Sequence, residues 1–370
     1  MTAAARAAQA LRPLDELRQL GLRALASGGP GGRALVRRRS VRVPALLSLH
    51  AAAAFALALL APSFLIALAP LVLGVPHLAA DVRYLLLRRA VSRWWLLASA
   101  GFALALVVLR ALAEARVTLG PSLAFEQGVA ATWVLVGAFG GLLVARAPAA
   151  GAPRAAGRGL VRGGVALAIG AGIAALAIGA PAPFRLALLH GHNLVAVAVW
   201  ALLFRRGGRL GWLPVALVLS GAGLLASGAL LGVTLRHGAL SVAGLHLFVA
   251  ADWLGPGLSD NAAIAVATSF AFLQSVHYAI WLVGVPAGDR PGEGGRSWRA
   301  AGRELVDDFT APGVALVVAL ALFVAVAGLA HAAPTRRLFL ALATFHGWLE
   351  LAALAYLFAR GPVRSAWPTP

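Results

Sequence analysis

His77 and Asp81 lie four residues apart in Gly74-Val75-Pro76-His77-Leu78-Ala79-Ala80-Asp81-Val82-Arg83-Tyr84, inside a long apolar run. Helical spacings of four and three put His77, Asp81 and Tyr84 on one face. The pattern repeats in His346-Gly347-Trp348-Leu349-Glu350, where a carboxylate again follows a histidine by four. Two further stretches carry imidazoles: His190-Gly191-His192-Asn193 and Gln274-Ser275-Val276-His277-Tyr278. Histidines two apart on a helix diverge by about 200°, so one of His190 and His192 can face a shared site, and depth favours His192. His50 stands alone among alanines and leucines. Imidazole with carboxylate, without thiolate, is a donor set for non-haem iron, manganese or zinc. The carboxylate either ligates or holds the imidazole tautomer.

These groups must be positioned by apolar elements. The chain has 370 residues, of which 61% are hydrophobic and 12% charged, with a mean hydropathy of +0.85. Soluble domains carry roughly 25% charged residues. Long apolar segments recur from Ala45 to Ala359, as in a polytopic membrane protein. The fold class expected is all-α: a transmembrane helical bundle of ten spans near 44–61, 63–87, 94–113, 124–145, 160–180, 183–204, 211–232, 262–284, 312–331 and 336–359. Residues 1–43 read as a basic amphipathic segment with a Gly28–Gly32 joint, residues 44–360 as the transmembrane domain and 361–370 as a tail. No short apolar core with a small-residue cleavage site marks residues 1–43 as a signal peptide.

Arginine placement orders the spans. Arg88/Arg89/Arg93, Arg146/Arg154/Arg158/Arg162, Arg205/Arg206/Arg209, Arg290/Arg296/Arg299/Arg303 and Arg360/Arg364 fall at one set of ends, with the N-terminal arginines. The other set holds Arg116, Arg185, Arg236, Arg336 and Arg337. The asymmetry predicts both termini in the cytoplasm and a cell inner (cytoplasmic) membrane location. Residues 233–261 are the longest outer connection, with a short helix expected through Leu240, Ala243, Leu247 and Ala250; residues 285–311 read as a polar cytoplasmic loop.

Composition also excludes chemistry. All 32 basic residues are Arg, giving a formal charge of +19. Without lysine there is no Schiff base, hence no retinal-holding rhodopsin, and no P-loop lysine. Without cysteine there is no thiolate nucleophile, iron–sulfur cluster or cysteine zinc site. The arginines flank apolar segments, so membrane topology accounts for them and no nucleic-acid partner is expected.

The stretch Gly74-Val75-Pro76-His77-Leu78-Ala79-Ala80-Asp81 resembles the Gly-x-Pro-His-Gly-x-x-Asp stretch of the Brp/Blh family of integral-membrane β-carotene dioxygenases, which cleave the carotenoid to retinal. Phe272 to Tyr278 is weakly similar to a later histidine-bearing segment of that family. The likeness covers about a tenth of the chain, and Leu78 replaces the glycine after the histidine. It implies iron held by histidines from several spans, and carries over to His77, Asp81 and His277.

Depth at about 1.5 Å per residue puts His77, His192 and His346 in the middle of their spans, with Asp81, His277, Glu350 and His50 nearer the cytoplasmic side. The residues themselves predict metal ligands His77, His192, His277 and His346, with His50 as a fifth candidate. Asp81 and Glu350 would orient imidazoles or ligate. Tyr84 and Tyr278 would line the path of an apolar small-molecule substrate entering from the lipid bilayer. The function expected is a non-haem iron (Fe2+) oxygenase acting on a lipid or isoprenoid. Two other readings stay open: a proton-coupled transporter using the same His, Asp and Glu groups, and a bis-histidine haem protein.

Overall fold

The computed structural model describes residues 9–89, 91–115, 122–146, 155–205, 208–289 and 292–361. Arg116, Arg154, Arg206, Arg290, Arg364, the side chain of Arg158 and the tail from 362 lie outside them. In chain order the helices are α1 (Arg12–Ser27), α2 (Pro30–Arg37), α3 (Arg39–Leu60), α4 (Pro62–Asp81), α5 (Arg93–Glu114), α6 (Leu123–Arg146), α7 (Ala155–Gly179), α8 (Pro181–Val199), α9 (Leu213–Ala226) and α10 (Leu231–His237). A two-stranded hairpin of β1 (Ser241–Val242) and β2 (Leu245–His246) follows. Then come α11 (Leu247–Leu254), α12 (Asp260–Ala279), α13 (Val285–Gly288), α14 (Trp298–Ala330), α15 (Ala332–Leu342) and α16 (Phe345–Arg360). Among the described residues, ten helical stretches are long and apolar enough to cross a membrane, matching the ten spans expected. The protein is all-α and polytopic.

Three spans run from α-helix into a π-helical turn: α4 into Val82–Leu86, α8 into Trp200–Phe204 and α12 into Ile280–Gly284. Each turn lies C-terminal to one of the histidine-bearing stretches. Single π turns inside α-helices concentrate at functional sites.

The chain divides into two compact units. The first comprises Met1–Arg83 and Asn193–Arg336. Its core is α12, where almost every side chain from Ala263 to Ala279 is buried. A helix apolar on all sides must be enclosed, and α12 is packed by α3, α4, α9 and α11. Ser269 Oγ ties it to the Ala222 carbonyl of α9 at 3.0 Å. In α4, Pro70 has no N–H for the carbonyl of Ile66, four residues back. Arg336 Nε donates to that carbonyl at 2.6 Å, and its guanidinium lies 4.9 Å over the Trp253 ring. Arg336 is thus buried and engaged rather than a plain flanking charge at a span end.

Several expectations are corrected in this unit. The Gly28–Gly32 joint shrinks to Gly28-Gly29, with Gly29 at φ 96°, because Pro30 starts a helix. The short helix begins at Leu247, not near Leu240: residues 241–246 form the hairpin, whose Ala243 and Gly244 both have positive φ, as a two-residue hairpin turn requires. The polar loop 285–311 is helical from Trp298. Asp15 of α1 accepts from the N–H groups of Trp298 (2.6 Å) and Arg299 (3.2 Å), and Ser297 Oγ accepts from Ala300 N–H. These oxygens satisfy donors a helix start leaves open. Burial raises the Asp15 carboxyl, but the two backbone donors and the Arg299 guanidinium outweigh it and hold it below the usual range. Thr310, at φ 64° and ψ 163°, then breaks α14 just before Pro312. That break separates a polar arm from the apolar span expected from residue 312.

The second unit comprises Tyr84–His192 and Arg337–Pro370. Its centre is the contact of α6 with α16, flanked by α5 and α7. Gly137 and Gly141 make that approach possible. A Cβ on Gly137 would come 2.5 Å from the Ala352 carbonyl, and one on Gly141 would strike the Tyr356 carbonyl. Trp95 stacks flat on Tyr356 with ring centroids 5.0 Å apart. The last span is not continuous: Ala343 and Thr344 interrupt it, with Thr344 Oγ1 turned back to the Leu340 and Ala341 carbonyls.

Candidate functional site

In the first unit, α4 brings His77 to His277 of α12. Their Nε2 atoms stand 3.0 Å apart and their rings meet edge to face, 4.5 Å between centroids. Asp81 Oδ1 lies 3.5 Å from His77 Nδ1, one turn on, as the i,i+4 spacing predicts. All three are buried, Asp81 completely. A carboxylate accepts only, so Asp81 favours a proton on the His77 Nδ1 that faces it. Tyr278 packs against His77 at 5.2 Å. The Trp281 ring, fully buried, lies 6.3 Å from that of His77. Trp281 was not legible as a site residue, although its position four after His277 is the signal that finds it. Gln274 shares the His277 face, with Oε1 buried and without a hydrogen-bond partner among the described residues.

The second unit holds its own pair. His192 of α8 and His346 of α16 meet edge to face with centroids 5.1 Å apart. His192 Nδ1 lies 2.9 Å from the Leu189 carbonyl and 3.2 Å from that of Leu188. His346 Nδ1 lies 2.6 Å from the Ala343 carbonyl. Carbonyls accept only, so each Nδ1 carries the proton and each Nε2 carries a lone pair. At the interruption the Ala343 carbonyl also accepts from the His346 backbone N–H at 3.1 Å, so ring and backbone of His346 share one acceptor. A Cβ added on Gly347 would come 3.7 Å from the Cβ of His192. Glu350 follows His346 by one turn and is completely buried.

The nine predicted site residues therefore sort by unit. His77, Asp81, His277 and Tyr278 come together in the first, and His192 with His346 in the second. Glu350 stands one turn beyond His346. His50 is placed elsewhere: its Nε2 lies 3.2 Å from the Ser275 carbonyl on the neighbouring helix, a core hydrogen bond. Tyr84 is buried, but it sits in the π turn and its carbonyl accepts from Arg89 Nε at 3.1 Å. The α-helical face drawn through His77, Asp81 and Tyr84 ends at Asp81, because the winding changes at Val82 and Tyr84 belongs to the second unit. His246 caps α11, its Nδ1 accepting from Phe248 N–H at 3.4 Å, and stacks on Phe248.

The donors fit a transition metal. Imidazole nitrogens with their far side fixed by a carboxylate or carbonyl are the form that ligates, and buried carboxylates are within one turn of each pair. Iron, manganese and zinc all accept this set. No protein-family model, no curated protein and no solved structure matches the chain.

Proposed function

We propose that this chain is a multi-pass metalloenzyme of the cell inner membrane, a non-haem iron oxygenase acting on an apolar lipid or isoprenoid. The observation that carries the reading is the pairing of four intramembrane histidines, two and two, with an acceptor facing Nδ1 in His77, His192 and His346. His77, His277, His192 and His346 are the proposed ligands. Asp81 holds the His77 tautomer, and Glu350 serves next to His346. When bound, iron supplies dioxygen activation beside a substrate that the bilayer delivers. Tyr278 and Trp281 exclude water from His77 and offer an apolar, aromatic wall to a hydrocarbon chain. The carotenoid version rests on the likeness around His77 alone.

Metal analysis of the purified protein tests the reading. Stoichiometric iron or manganese, reduced in His77→Ala and separately in His192→Ala, supports it; metal-free protein after expression in iron-replete medium removes it. A second reading has its own observation: 3.0 Å between two ring nitrogens is a proton-sharing distance. A proton-coupled carrier would show proton-driven uptake in vesicles, lost in Asp81→Asn, with no metal bound.

A further inference from the structure

The first unit carries a second feature, away from His77 and His277. Two shallow hollows follow one another along the seam of α3, α9 and the π turns after α8 and α12. One is lined by Leu47, Val197, Val218 and Ile280, with His50 at its edge. The other is lined by Val43, Phe204, Arg39 and Arg205. Trp200 lines both.

The chemistry changes along this path. The first hollow is a hydrocarbon surface. The second lies at the arginine-bearing ends of the spans, where α3 begins and the Trp200–Phe204 turn finishes. Arg39 is nearly buried, and its backbone N–H is held by Glu293 Oε2 at 2.8 Å while Nη1 reaches the Ala287 carbonyl at 3.4 Å. The Arg205 guanidinium lies 4.2 Å over the Trp212 ring. Between the hollows Trp200 is 2% exposed, and its indole N–H has no hydrogen-bond partner among the described residues. An indole donor buried in this way normally finds an acceptor. Gly284 sets the arrangement, because a Cβ there would come 3.1 Å from the Trp200 ring.

We propose that this seam binds one anionic phospholipid of the surrounding bilayer. The phosphate lies against Arg39 and Arg205, the acyl ester carbonyl accepts from Trp200 N–H, and the chain runs along Leu47, Val218 and Ile280. The order of groups matches the order in the lipid: charge at the interface, one acceptor below it, hydrocarbon beyond. Guanidinium groups suit phosphate because they present several donors in one plane.

The test uses the full chain, purified and delipidated in detergent, with binding read by native mass spectrometry. Ligands are phosphatidylglycerol, phosphatidylcholine and inorganic phosphate. Each arginine near an anionic headgroup contributes about fivefold. Phosphatidylglycerol is therefore expected to bind about tenfold or more tighter than phosphatidylcholine. Arg205→Gln is expected to lose about fivefold of that preference, and Arg205→Lys to keep most of it. Val218→Phe, which fills the apolar hollow, weakens both lipids. Equal binding of the two lipids overturns the proposal. So does a preference unchanged in an Arg205→Gln protein with native helix content. Inorganic phosphate competing as well as the lipid also overturns it, since the hydrocarbon hollow would then play no part.

Discussion

His77 Nε2 and His277 Nε2 face each other at 3.0 Å, from helices α4 and α12, with Asp81 behind His77 at 3.5 Å. A partner that sets the tautomer of a ligating histidine is worth about 10–100-fold in metal affinity. Asp81→Asn is therefore expected to weaken iron or manganese binding by about that factor while leaving helix content unchanged. Titration with a competing chelator measures it, and unchanged affinity would remove Asp81 from the role.

For His192 and His346 the prediction concerns protons. Both rings should carry hydrogen on Nδ1 at neutral pH, since each Nδ1 points at a carbonyl. Nitrogen NMR on histidine-labelled protein reads the tautomer directly. Added zinc should perturb Nε2 and leave Nδ1 protonated. The opposite tautomer in either ring would contradict the ligand assignment.

Arg336 and Pro70 should be energetically coupled. Arg336→Gln leaves the Ile66 carbonyl buried without its donor, at a cost of about 1–3 kcal/mol. Pro70→Ala restores a backbone N–H to that carbonyl, so the same Arg336 change in that background should cost about 1 kcal/mol less. A double-mutant cycle on denaturant unfolding gives the coupling; a value of zero would refute it.

Much of this architecture is legible in residue order, and the parts that are not have physical reasons. Apolar runs punctuated by arginine mark ten spans, because bilayer thickness and loop charge constrain them strongly. The partnership of His77 with Asp81 is local and follows from helical spacing. The π turn at Tyr84 was not legible, because spacing arguments assume α-helical winding and nothing in Val82-Arg83-Tyr84 announces the change. The pairing of His192 with His346 joins distant segments, which periodicity cannot see. His50 shows the reverse: an imidazole on an apolar face turned out to serve the Ser275 carbonyl. Gly137 and Gly141 do form a Gly-x-x-x-Gly pattern, the usual mark of close helix approach in membranes.

That pattern carries its own prediction. At Gly141 even alanine meets the Tyr356 carbonyl, so Gly141→Val should destabilise the second unit by about 3 kcal/mol or more. Gly164, with nothing within 4 Å of a Cβ, is the matched control and should tolerate alanine. Thermal unfolding in detergent compares them, and equal melting temperatures would show that the glycine contact is dispensable.

Asp15 gives the pH dependence. Its carboxyl lies below the usual range in the folded protein, so the docking of α1 on α14 is fully present above the unfolded value of about 3.9. It is lost as pH falls through the lower, folded value. Limited proteolysis around Gly28-Gly29 should therefore accelerate only in strongly acidic buffer for the parent chain, and at neutral pH in Asp15→Asn. A neutral-pH digestion pattern shared by both proteins would rule this out.

The contact of α6 with α16 also bears on how the protein is made. Spans from Arg93 to Gly179 leave the ribosome long before Phe345–Arg360 is synthesised, yet α16 is the helix that covers Gly137 and Gly141. Until Phe345–Arg360 is made, the second unit waits in the bilayer with its glycine face uncovered and Trp95 without the Tyr356 ring it stacks on. Nascent chains stalled before Phe345 would thus be the species most in need of an insertase or a protective chaperone, and the form most open to membrane quality-control proteases.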